Sequence, residues 1–299
     1  SLHMAWVRKL TGGLLGDNGE EGAAGAAVVG GEAVGGDFPE GAEVVDGPCT
    51  ACPDPCDTHE MLSPFLAKKI KTTPMAGSVK PYVRHLFVCA GSGRDWPGKV
   101  EKTPNTIPNA LATALNTAIV NKEERLTLIS ACDRISEEGP KKIDQVTSAE
   151  VLLFPDMVLF RDVTAESADS LIASVLGQGP PPMAPLPLRE EGTAYVFVCT
   201  HKLRDKRCGE AGPLLLQEFD VVLKSLGLEK TIKVYGSSHY GGHKYAGNVI
   251  IYPSGHWYGR VKPCHVRTLV EDAILKGKVL KELWRGQIQT APPGASKAW

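Results

Sequence analysis

The sequence repeats itself at low similarity along most of its length, and no other feature constrains the fold as strongly. Residues 84–89 (RHLFVC) match residues 194–199 (AYVFVC), and residues 151–155 (VLLFP) match residues 249–253 (VIIYP). Repeats of about 100 residues are each long enough to form a domain. The sequence therefore predicts a tandem duplication, in which both copies fold in the same way.

Each copy shows the same order of apolar segments, β-α-β followed by β-β-α. The predicted strands are 86–88, 126–129, 151–154 and 158–160 in the first copy and 195–198, 231–235, 248–252 and 256–260 in the second. The predicted helices lie around Leu111, after Ser167, from Pro213 to Leu226 and over 268–280. A β-α-β unit is parallel and a hairpin adds antiparallel strands. We therefore expect an α/β fold of two thioredoxin-like domains with mixed sheets flanked by helices.

Composition divides the chain into five segments. Gly, Ala, Val and acidic residues dominate the start without helical or strand periodicity, and a Pro-rich run (GQGPPPMAPLP) interrupts the middle. We predict a flexible leader with a cloning remnant (SLHM), a first thioredoxin-like domain, a Pro-rich linker, a second thioredoxin-like domain, and a flexible tail. In that order, the segments are 1–45, 46–176, 177–188, 189–290 and 291–299.

Charge and cysteine content restrict the classes of protein to which the chain can belong. The net charge of −1 at pH 7 removes the usual argument for binding to nucleic acid or to a membrane surface. Apolar runs are too short for a transmembrane helix, and no signal peptide is recognisable. The eight cysteines are too few for a disulfide scaffold, so we expect metal ligands, redox thiols or packing residues in a reducing compartment.

Four soft metal ligands stand in the second copy, near the ends of its first two strands. Cys199 ends the first strand and Cys208 follows just before the predicted helix, whereas His239 and His243 lie in the loop after the second strand. The C-terminal ends of adjacent parallel strands lie at the same edge of a sheet. We therefore expect the four side chains to converge.

Two cysteines and two histidines are compatible with more than one kind of site. They suit a tetrahedral zinc ion or a [2Fe-2S] cluster with mixed ligands. Eight residues separate the cysteines, more than the two to four of a zinc finger, which favours the wider cluster. The third interpretation, a buried core thiol beside polar loop histidines, is the least favoured because four such residues share one predicted edge.

The segments that contain these ligands are FVCTH at 197–201, RDKRCG at 204–209 and HYGGHKYAGN at 239–248. They resemble the sucrase/ferredoxin-like family of thioredoxin-like ferredoxins, and the resemblance extends from about Cys49 to Arg285. In fungal members with this pattern, two cysteines and two histidines hold a [2Fe-2S] cluster, which implies the same four residues as ligands here. The family's sucrase label finds no support, because no pair of carboxylates stands in a glycosidase context.

The first copy lacks the corresponding ligands. Gly98 occupies the position that matches Cys208, and no histidine stands in 137–148, where the histidine loop should fall. Only the second copy is therefore expected to hold a cluster. Because Arg94-Asp95 persists without a cluster, its counterpart Arg204-Asp205 is predicted to clamp a loop rather than to take part in electron transfer.

Other cysteines, histidines and one lysine receive less specific predictions. Cys49, Cys52 and Cys56 lie near His59 and could bind zinc or a labile cluster or form a disulfide, but a Pro-containing capping loop is the favoured interpretation. Lys244 either offsets charge near the cluster or is a solvated loop lysine. The residues predicted to have packing or structural roles are Cys132, Cys264, His256 and His265.

This ligand set predicts an electron-transfer protein rather than a stand-alone enzyme. A [2Fe-2S] cluster exchanges one electron, and two neutral imidazoles should raise its potential above the value of about −400 mV for a plant-type ferredoxin. The free ring nitrogens should couple electron uptake to a proton. A thiol-disulfide enzyme would need a closer pair such as C-x-x-C. The alternative function is a structural zinc-binding module that acts in protein interaction.

Partners and location are predicted from the function and from the chain end. A carrier needs a redox partner protein, whose identity the sequence does not indicate. In the family, a C-terminal tryptophan resembles the tail by which clients dock with the cytosolic iron-sulfur assembly machinery, which implies that role for Trp299. Lys297 and Ala298 depart from the usual ending, so a chance terminal aromatic is the alternative. The protein is predicted to be cytoplasmic, with an organelle as the alternative location.

Overall fold

The structure, a computed structural model, describes residues 38–46, 62–119, 127–134, 141–188 and 194–289. Within these ranges, no helix is long and apolar enough to cross a membrane. Most of the predicted leader, the predicted tail with Trp299, and the cluster of Cys49, Cys52 and Cys56 with His59 lie outside the described residues.

Both halves show the predicted order of elements. The chain begins with β1 (Val44–Val45) and α1 (Pro64–Ala67). The first half consists of β2 (Arg84–Cys89), α2 (Ile107–Ala118), β3 (Thr127–Cys132), β4 (Ala149–Phe154), β5 (Val158–Val163) and α3 (Ala168–Val175), followed by β6 (Leu186–Pro187). The second consists of β7 (Ala194–Cys199), α4 (Lys206–Leu226), β8 (Ile232–Ser237), β9 (Val249–Tyr252), β10 (His256–Tyr258) and α5 (Val266–Thr268), which continues as a π-helix over Leu269–Ile274. The chain then forms β11 (Val279–Leu280) and β12 (Trp284–Gln287), and 3₁₀ turns lie at Val100–Lys102, Ile143–Gln145, His243–Tyr245 and Pro263–His265.

One mixed sheet runs through both halves of the described chain, in the order β12-β10-β9-β7-β8-β3-β2-β4-β5-β6. In each half, the first strand is parallel to the second and antiparallel to the third. The halves join where Cys132 of β3 pairs with Ser237 of β8. The end of the predicted linker forms edge strand β6, where the missing N–H of Pro187 is tolerated. The predicted mixed sheet flanked by helices is confirmed, whereas an origin by duplication stays a prediction.

Alternating side chains place helices on one side of each half-sheet and aromatic rings on the other. In β2, Leu86 and Val88 share a core with Leu111 of α2, whereas Phe87 belongs to the aromatic layer. Phe87 stacks on Phe197 of β7 with ring centroids 3.6 Å apart, although β3 and β8 lie between their strands. In a flat sheet these strands would be about 14 Å apart. The sheet therefore folds over, and the two half-sheets pack face to face.

Helix α4 begins earlier than the sequence predicts. A start at Pro213 is wrong, because α4 begins at Lys206 and contains Pro213 in its interior. The Asp205 side chain caps the helix by accepting a hydrogen bond from the backbone N–H of Arg207. An interior proline removes one backbone hydrogen bond, a cost that the packing of the long helix offsets. Cys208 consequently lies in the first turn of α4 and not before it.

Two further predictions about the ends of the fold are wrong. The helix predicted over 268–280 stops before Gly277, which has φ +69°, and the chain continues into β11. Residues 38–45, predicted as part of a flexible leader, contain β1, which pairs in parallel with β11. Phe38 also packs against Trp284, with ring centroids 5.0 Å apart. Two-residue strands have no periodicity of their own, so only their tertiary partners reveal them.

Candidate functional site

The four predicted ligands lie together at one edge of the second half-sheet. Cys199 is the last residue of β7, and His239 follows β8, the parallel strand beside it. Cys208 lies in the first turn of α4, close to Cys199 because Gly212 lets the helix approach: a Cβ at 212 would collide with the Cys199 carbonyl. His243 begins the 3₁₀ turn in the loop after β8.

The two thiols are buried and joined by a hydrogen bond. Cys199 is 1% exposed and Cys208 is 0% exposed. The hydrogen bond from the Cys208 thiol holds the pKa of Cys199 well below its usual range, and the same contact raises the pKa of Cys208. The neighbouring His239 side chain and the backbone N–H of His201 also lower the pKa of Cys199. These donors favour the thiolate, which is the form that binds metals.

The two imidazoles form the half-buried side of the site. Nε2 of His239 lies 3.4 Å from Nδ1 of His243, and the ring centroids are 5.0 Å apart. Burial lowers the pKa of His243 and so favours the neutral ring, the form that binds metals. Nδ1 of His239 is buried and has no hydrogen-bond partner among the described residues. Two thiols, two imidazoles and an unpartnered ring nitrogen fit a group held by mixed sulfur and nitrogen ligands.

The four predicted ligands are arranged as two adjacent pairs. Cys208 contacts Cys199, Cys199 contacts His239, and His239 contacts His243. In the described part of the chain, no three or more His, Cys, Asp or Glu side chains are grouped so that they could hold a single metal ion. The structure therefore brings the predicted ligands together as a cysteine pair beside a histidine pair.

One protein family matches the region that contains both half-sheets and all four ligands. The sucrase/ferredoxin-like family matches residues 75–286. The chain belongs to the sucrase/ferredoxin-like family. The family resemblance predicted from the sequence is thereby confirmed.

Several similar proteins are known from yeasts. Altered inheritance of mitochondria protein 32 of Debaryomyces hansenii is 29% identical over 240 residues, which are 71% of this chain and 84% of that protein. The protein of that name from Clavispora lusitaniae is 50% identical over 96 residues, 31% of this chain and 34% of that protein. Actin patches distal protein 1 of Saccharomyces cerevisiae is 40% identical over 94 residues, 27% of this chain and 30% of that protein. The matched region spans most of the first protein and about a third of the other two.

Solved structures with some similarity are those of a thioredoxin-like [2Fe-2S] ferredoxin from Aquifex aeolicus. One is 25% identical with a TM-score of 0.30, and covers 34% of this chain and 97% of its own. The wild-type structure at 1.5 Å resolution is 22% identical with a TM-score of 0.29, and covers 32% of this chain and 99% of its own. Each match thus concerns about a third of this sucrase/ferredoxin-like chain.

A buried arginine beneath the histidine loop of this family member was not predicted. Arg285 of β12 is 2% exposed, and its Nη1 donates to Oδ1 of Asn248 at 2.7 Å and to the Gly241 carbonyl at 3.4 Å. Its Nε donates to the Ser78 hydroxyl at 3.2 Å. Burial lowers the pKa of Arg285 to about 10, so it stays charged at pH 7, with the ligand thiols among its electrostatic neighbours. No carboxylate pairs with it among the described residues.

We expect the Gly242→Ala variant to destabilise the histidine loop. Gly242 has φ +74°, and a Cβ there would collide with the guanidinium of Arg285. Gly227, at the end of α4, has a similar φ of +66° but open space around it, so it is a matched control. Gly242→Ala should lower the free energy of unfolding by about 1–3 kcal/mol more than Gly227→Ala, measured by chemical denaturation. Equal losses would contradict this role of the Arg285 contact.

His201 connects the site to the first half of the chain. Its Nδ1 accepts a hydrogen bond from the His239 backbone N–H at 3.1 Å, and its Nε2 lies 2.9 Å from the Pro97 carbonyl oxygen. These partners require a neutral ring protonated on Nε2, and burial lowers the pKa of His201 accordingly. Gly98, the counterpart of Cys208, lines a small pocket with His201 and His239. Residues of the first half of the chain thus form one side of the small pocket beside the predicted ligand His239.

The first half also contains a thiol pair that is separate from the ligands. The sulfurs of Cys89 and Cys132 lie 3.7 Å apart in the layer between the half-sheets. Burial raises the pKa of Cys89 well above its usual range, so this residue is held as a thiol. The residues predicted to have packing or structural roles are all buried: Cys132, Cys264, His256 and His265.

The predicted Arg204-Asp205 clamp has two separate roles. Asp205 caps α4 and forms an ion pair with Arg207, with 2.8 Å between Oδ2 and Nη2, so its predicted structural role is confirmed. Arg204 instead lines the small pocket that also contains His239. Lys244 is half-buried, and its Nζ lies 5.2 Å from the centroid of the Tyr245 ring.

Proposed function

We propose that the chain is a one-electron carrier that holds a [2Fe-2S] cluster through Cys199, Cys208, His239 and His243. The main support is the pairing of the donors, with two buried thiols on one side and two facing imidazoles on the other. Two adjacent pairs suit a group with two metal atoms, one held by thiolates and the other by imidazoles. Membership of the sucrase/ferredoxin-like family favours the same assignment.

A bound cluster of this type accepts and releases one electron. The surrounding residues determine how easily the electron arrives. Neutral imidazoles lack the negative charge of thiolates, and Arg285 adds a buried positive charge. Both features would favour reduction of a bound cluster. We therefore propose a midpoint potential above the value of about −400 mV for a plant-type ferredoxin. The free ring nitrogens of His239 and His243 take up a proton with the electron.

Metal and acid-labile sulfide analysis of freshly purified protein tests this assignment. We expect a red-brown protein with about two irons and two sulfides per chain, because only one half has a full ligand set. Stoichiometric zinc without sulfide would instead identify the structural zinc-binding module. A protein with neither metal nor sulfide after anaerobic reconstitution would exclude both functions.

Changing His239 or His243 to cysteine should lower the midpoint potential and weaken its dependence on pH. In the unmodified protein, the potential should fall by up to about 59 mV per pH unit, because high pH withholds the proton that accompanies the electron. A cysteine adds a permanent negative charge and removes a titrating nitrogen. Redox titrations between about pH 6 and 9 measure both effects. A pH-independent potential in the unmodified protein would contradict histidine ligation.

We propose a cytoplasmic carrier that serves a partner protein rather than a stand-alone enzyme. In this proposal, Trp299 is a docking tail for the cytosolic iron-sulfur assembly machinery. The names of several relatives refer to the inheritance of mitochondria, so a mitochondrial compartment is the alternative. Fractionation of cells that express the full chain decides between the two compartments.

We also propose that 46–176 and 189–290 are duplicated thioredoxin-like domains, joined by a linker at 177–188. The same pattern of strand pairing in both halves supports this origin. Cys89 ends β2 as Cys199 ends β7, which also agrees with it.

A further inference from the structure

We propose that the histidine side of the site docks an acidic electron-transfer protein through a basic face. The basic face is defined as Lys69, Lys99, Lys202 and Lys206 around the apolar side chains of Phe65 and Leu203. This inference rests on the proposed function, because an electron carrier must bring its redox group close to that of a partner. The occupant is a folded protein with an acidic surface.

Access to the ligands is from the histidine side. Cys199 at the end of β7 and Cys208 in the first turn of α4 are almost fully buried, whereas both histidines are only partly buried. The small pocket beside His239 is lined by Lys99, among other residues, so this lysine stands at the entrance to the site. An electron partner therefore approaches over the loops that carry the basic face.

Two lysines of the basic face, Lys202 and Lys206, belong to the segment that joins the two predicted ligand cysteines. Lys202 lies between the two ligand cysteines in the sequence, and its side chain covers Gly209. Its backbone N–H donates to the Gly93 carbonyl of the first half at 3.1 Å. Lys206 is the first residue of α4, two positions before Cys208. The elements that position the predicted ligand cysteines thus also position the backbone of Lys202 and Lys206.

Nearby carboxylates only partly offset this charge. Glu210 lies one turn after Lys206 in α4 and accepts a hydrogen bond from the backbone N–H of Ser63. Asp205 is neutralised by Arg207, which also donates to the Lys69 carbonyl at 2.8 Å. Glu101 lines the small pocket together with Lys99. The chain as a whole has a net charge of −1, so the positive face is a local asymmetry. Such asymmetry steers a partner of opposite charge toward one orientation.

Two exposed apolar side chains lie within the basic face. Phe65 is 67% exposed and Leu203 is 64% exposed, the highest values among large apolar residues in the described ranges. The ammonium of Lys69 lies 3.9 Å from the centroid of the Phe65 ring, and the Leu203 carbonyl faces Gly98 beside the pocket. Apolar contacts with a charged rim are typical of protein interfaces. Interspersed carboxylates and this apolar centre favour a protein over a membrane or a nucleic acid.

Charge reversal with a matched control tests the basic face. The test variant is Lys202→Glu/Lys206→Glu. Glutamate at 202 keeps the Cβ and Cγ atoms that cover Gly209. Glutamate at 206 places a negative charge at the start of α4, which favours the helix. The control is Lys224→Glu/Lys230→Glu. Lys224 lies in the last turn of the same helix, about 27 Å along the axis from Lys206, and Lys230 lies four residues beyond the helix end. Circular dichroism and thermal unfolding establish that each variant is folded. If the test variant is unfolded, Lys202→Gln/Lys206→Gln replaces it.

Binding is measured with fluorescein-labelled deca-glutamate by fluorescence anisotropy, which needs no bound cluster. Electron transfer is measured by stopped flow, in which the reduced protein gives one electron to anionic ferricyanide, forming ferrocyanide, or to cationic tris(phenanthroline)cobalt(III), forming the cobalt(II) complex. At low ionic strength, we expect the test variant to bind the peptide at least about tenfold more weakly and to react about tenfold more slowly with ferricyanide. The rate with the cobalt complex should rise, and the control should change neither rate by more than about twofold.

Three results would overturn the docking face. They are equal peptide binding in the test variant and the control, ferricyanide rates that do not depend on salt, and tighter binding to phosphatidylserine vesicles than to the peptide. A protein that contains no iron would refute the proposed function instead, and the peptide measurement would still decide whether this face binds acidic surfaces.

Discussion

Replacing Cys199 or Cys208 with serine is expected to remove almost all iron from the protein. Both sulfurs are buried and joined by a hydrogen bond, so no other thiol can replace either of them as a ligand. A serine hydroxyl is a poor ligand for iron. We expect the visible absorption and the iron content to fall below about a tenth of the unmodified values. Colorimetric iron analysis and the visible spectrum of the purified variants measure this loss.

The Cys89→Ser variant is the matched control for these two substitutions. Cys89 ends β2 as Cys199 ends β7, and it is also buried, at 6% exposed. Its sulfur contacts Cys132 rather than a histidine. We expect this variant to lose some stability but to retain the unmodified spectrum. Loss of iron from Cys89→Ser, or retention in both ligand variants, would contradict the assignment of the ligands.

Replacing Arg285 with methionine is expected to lower the midpoint potential by about 40 to 90 mV. The guanidinium is buried, carries a full charge at pH 7 and has the ligand thiols among its electrostatic neighbours. Reduction adds a negative charge to the site, which this cation stabilises by roughly 1–2 kcal/mol at the effective dielectric constant of a protein interior. For one electron, that free energy corresponds to the stated shift. A redox titration with mediators measures it.

The Arg285→Lys variant separates charge from structure. Both substitutions disturb the hydrogen bonds to Asn248 and Gly241, but lysine keeps the positive charge. We therefore expect both variants to lose stability in chemical denaturation, while only methionine shifts the potential strongly. Equal potentials in the two variants would show that Arg285 acts through packing alone.

The sequence predicts the regular elements well where a periodic pattern is long. Strand β7 alternates between the helix-covered face and the aromatic layer, and the stripe of Leu215, Phe219 and Val222 identifies the buried side of α4. Prediction fails where a tertiary contact decides. The start of α4 depends on the Asp205 cap, and β1 and β11 exist because they pair with each other.

For the candidate site, residue types and spacing were sufficient to select four side chains that the structure brings together, but not their environment. A topological rule about the ends of parallel strands predicts that four side chains lie close together: Cys199, Cys208, His239 and His243. The rule does not predict Arg285, because a single charged residue in a short strand is indistinguishable from an exposed edge residue until the strand is placed. Its neighbours Asn248 and Gly241 lie far from it in the sequence.

By itself, the sequence determined the internal similarity, the order of elements and the four candidate ligands near the ends of adjacent strands, because these depend on local periodicity and spacing. The tertiary structure decided what surrounds the ligands. It folds one sheet over so that half-sheets from both repeats meet through Phe87 and Phe197, and it packs His201 against Pro97 and Arg285 beneath the histidine loop. These contacts join residues that are far apart in the chain, so their energies depend on how the halves pack and not on any local pattern.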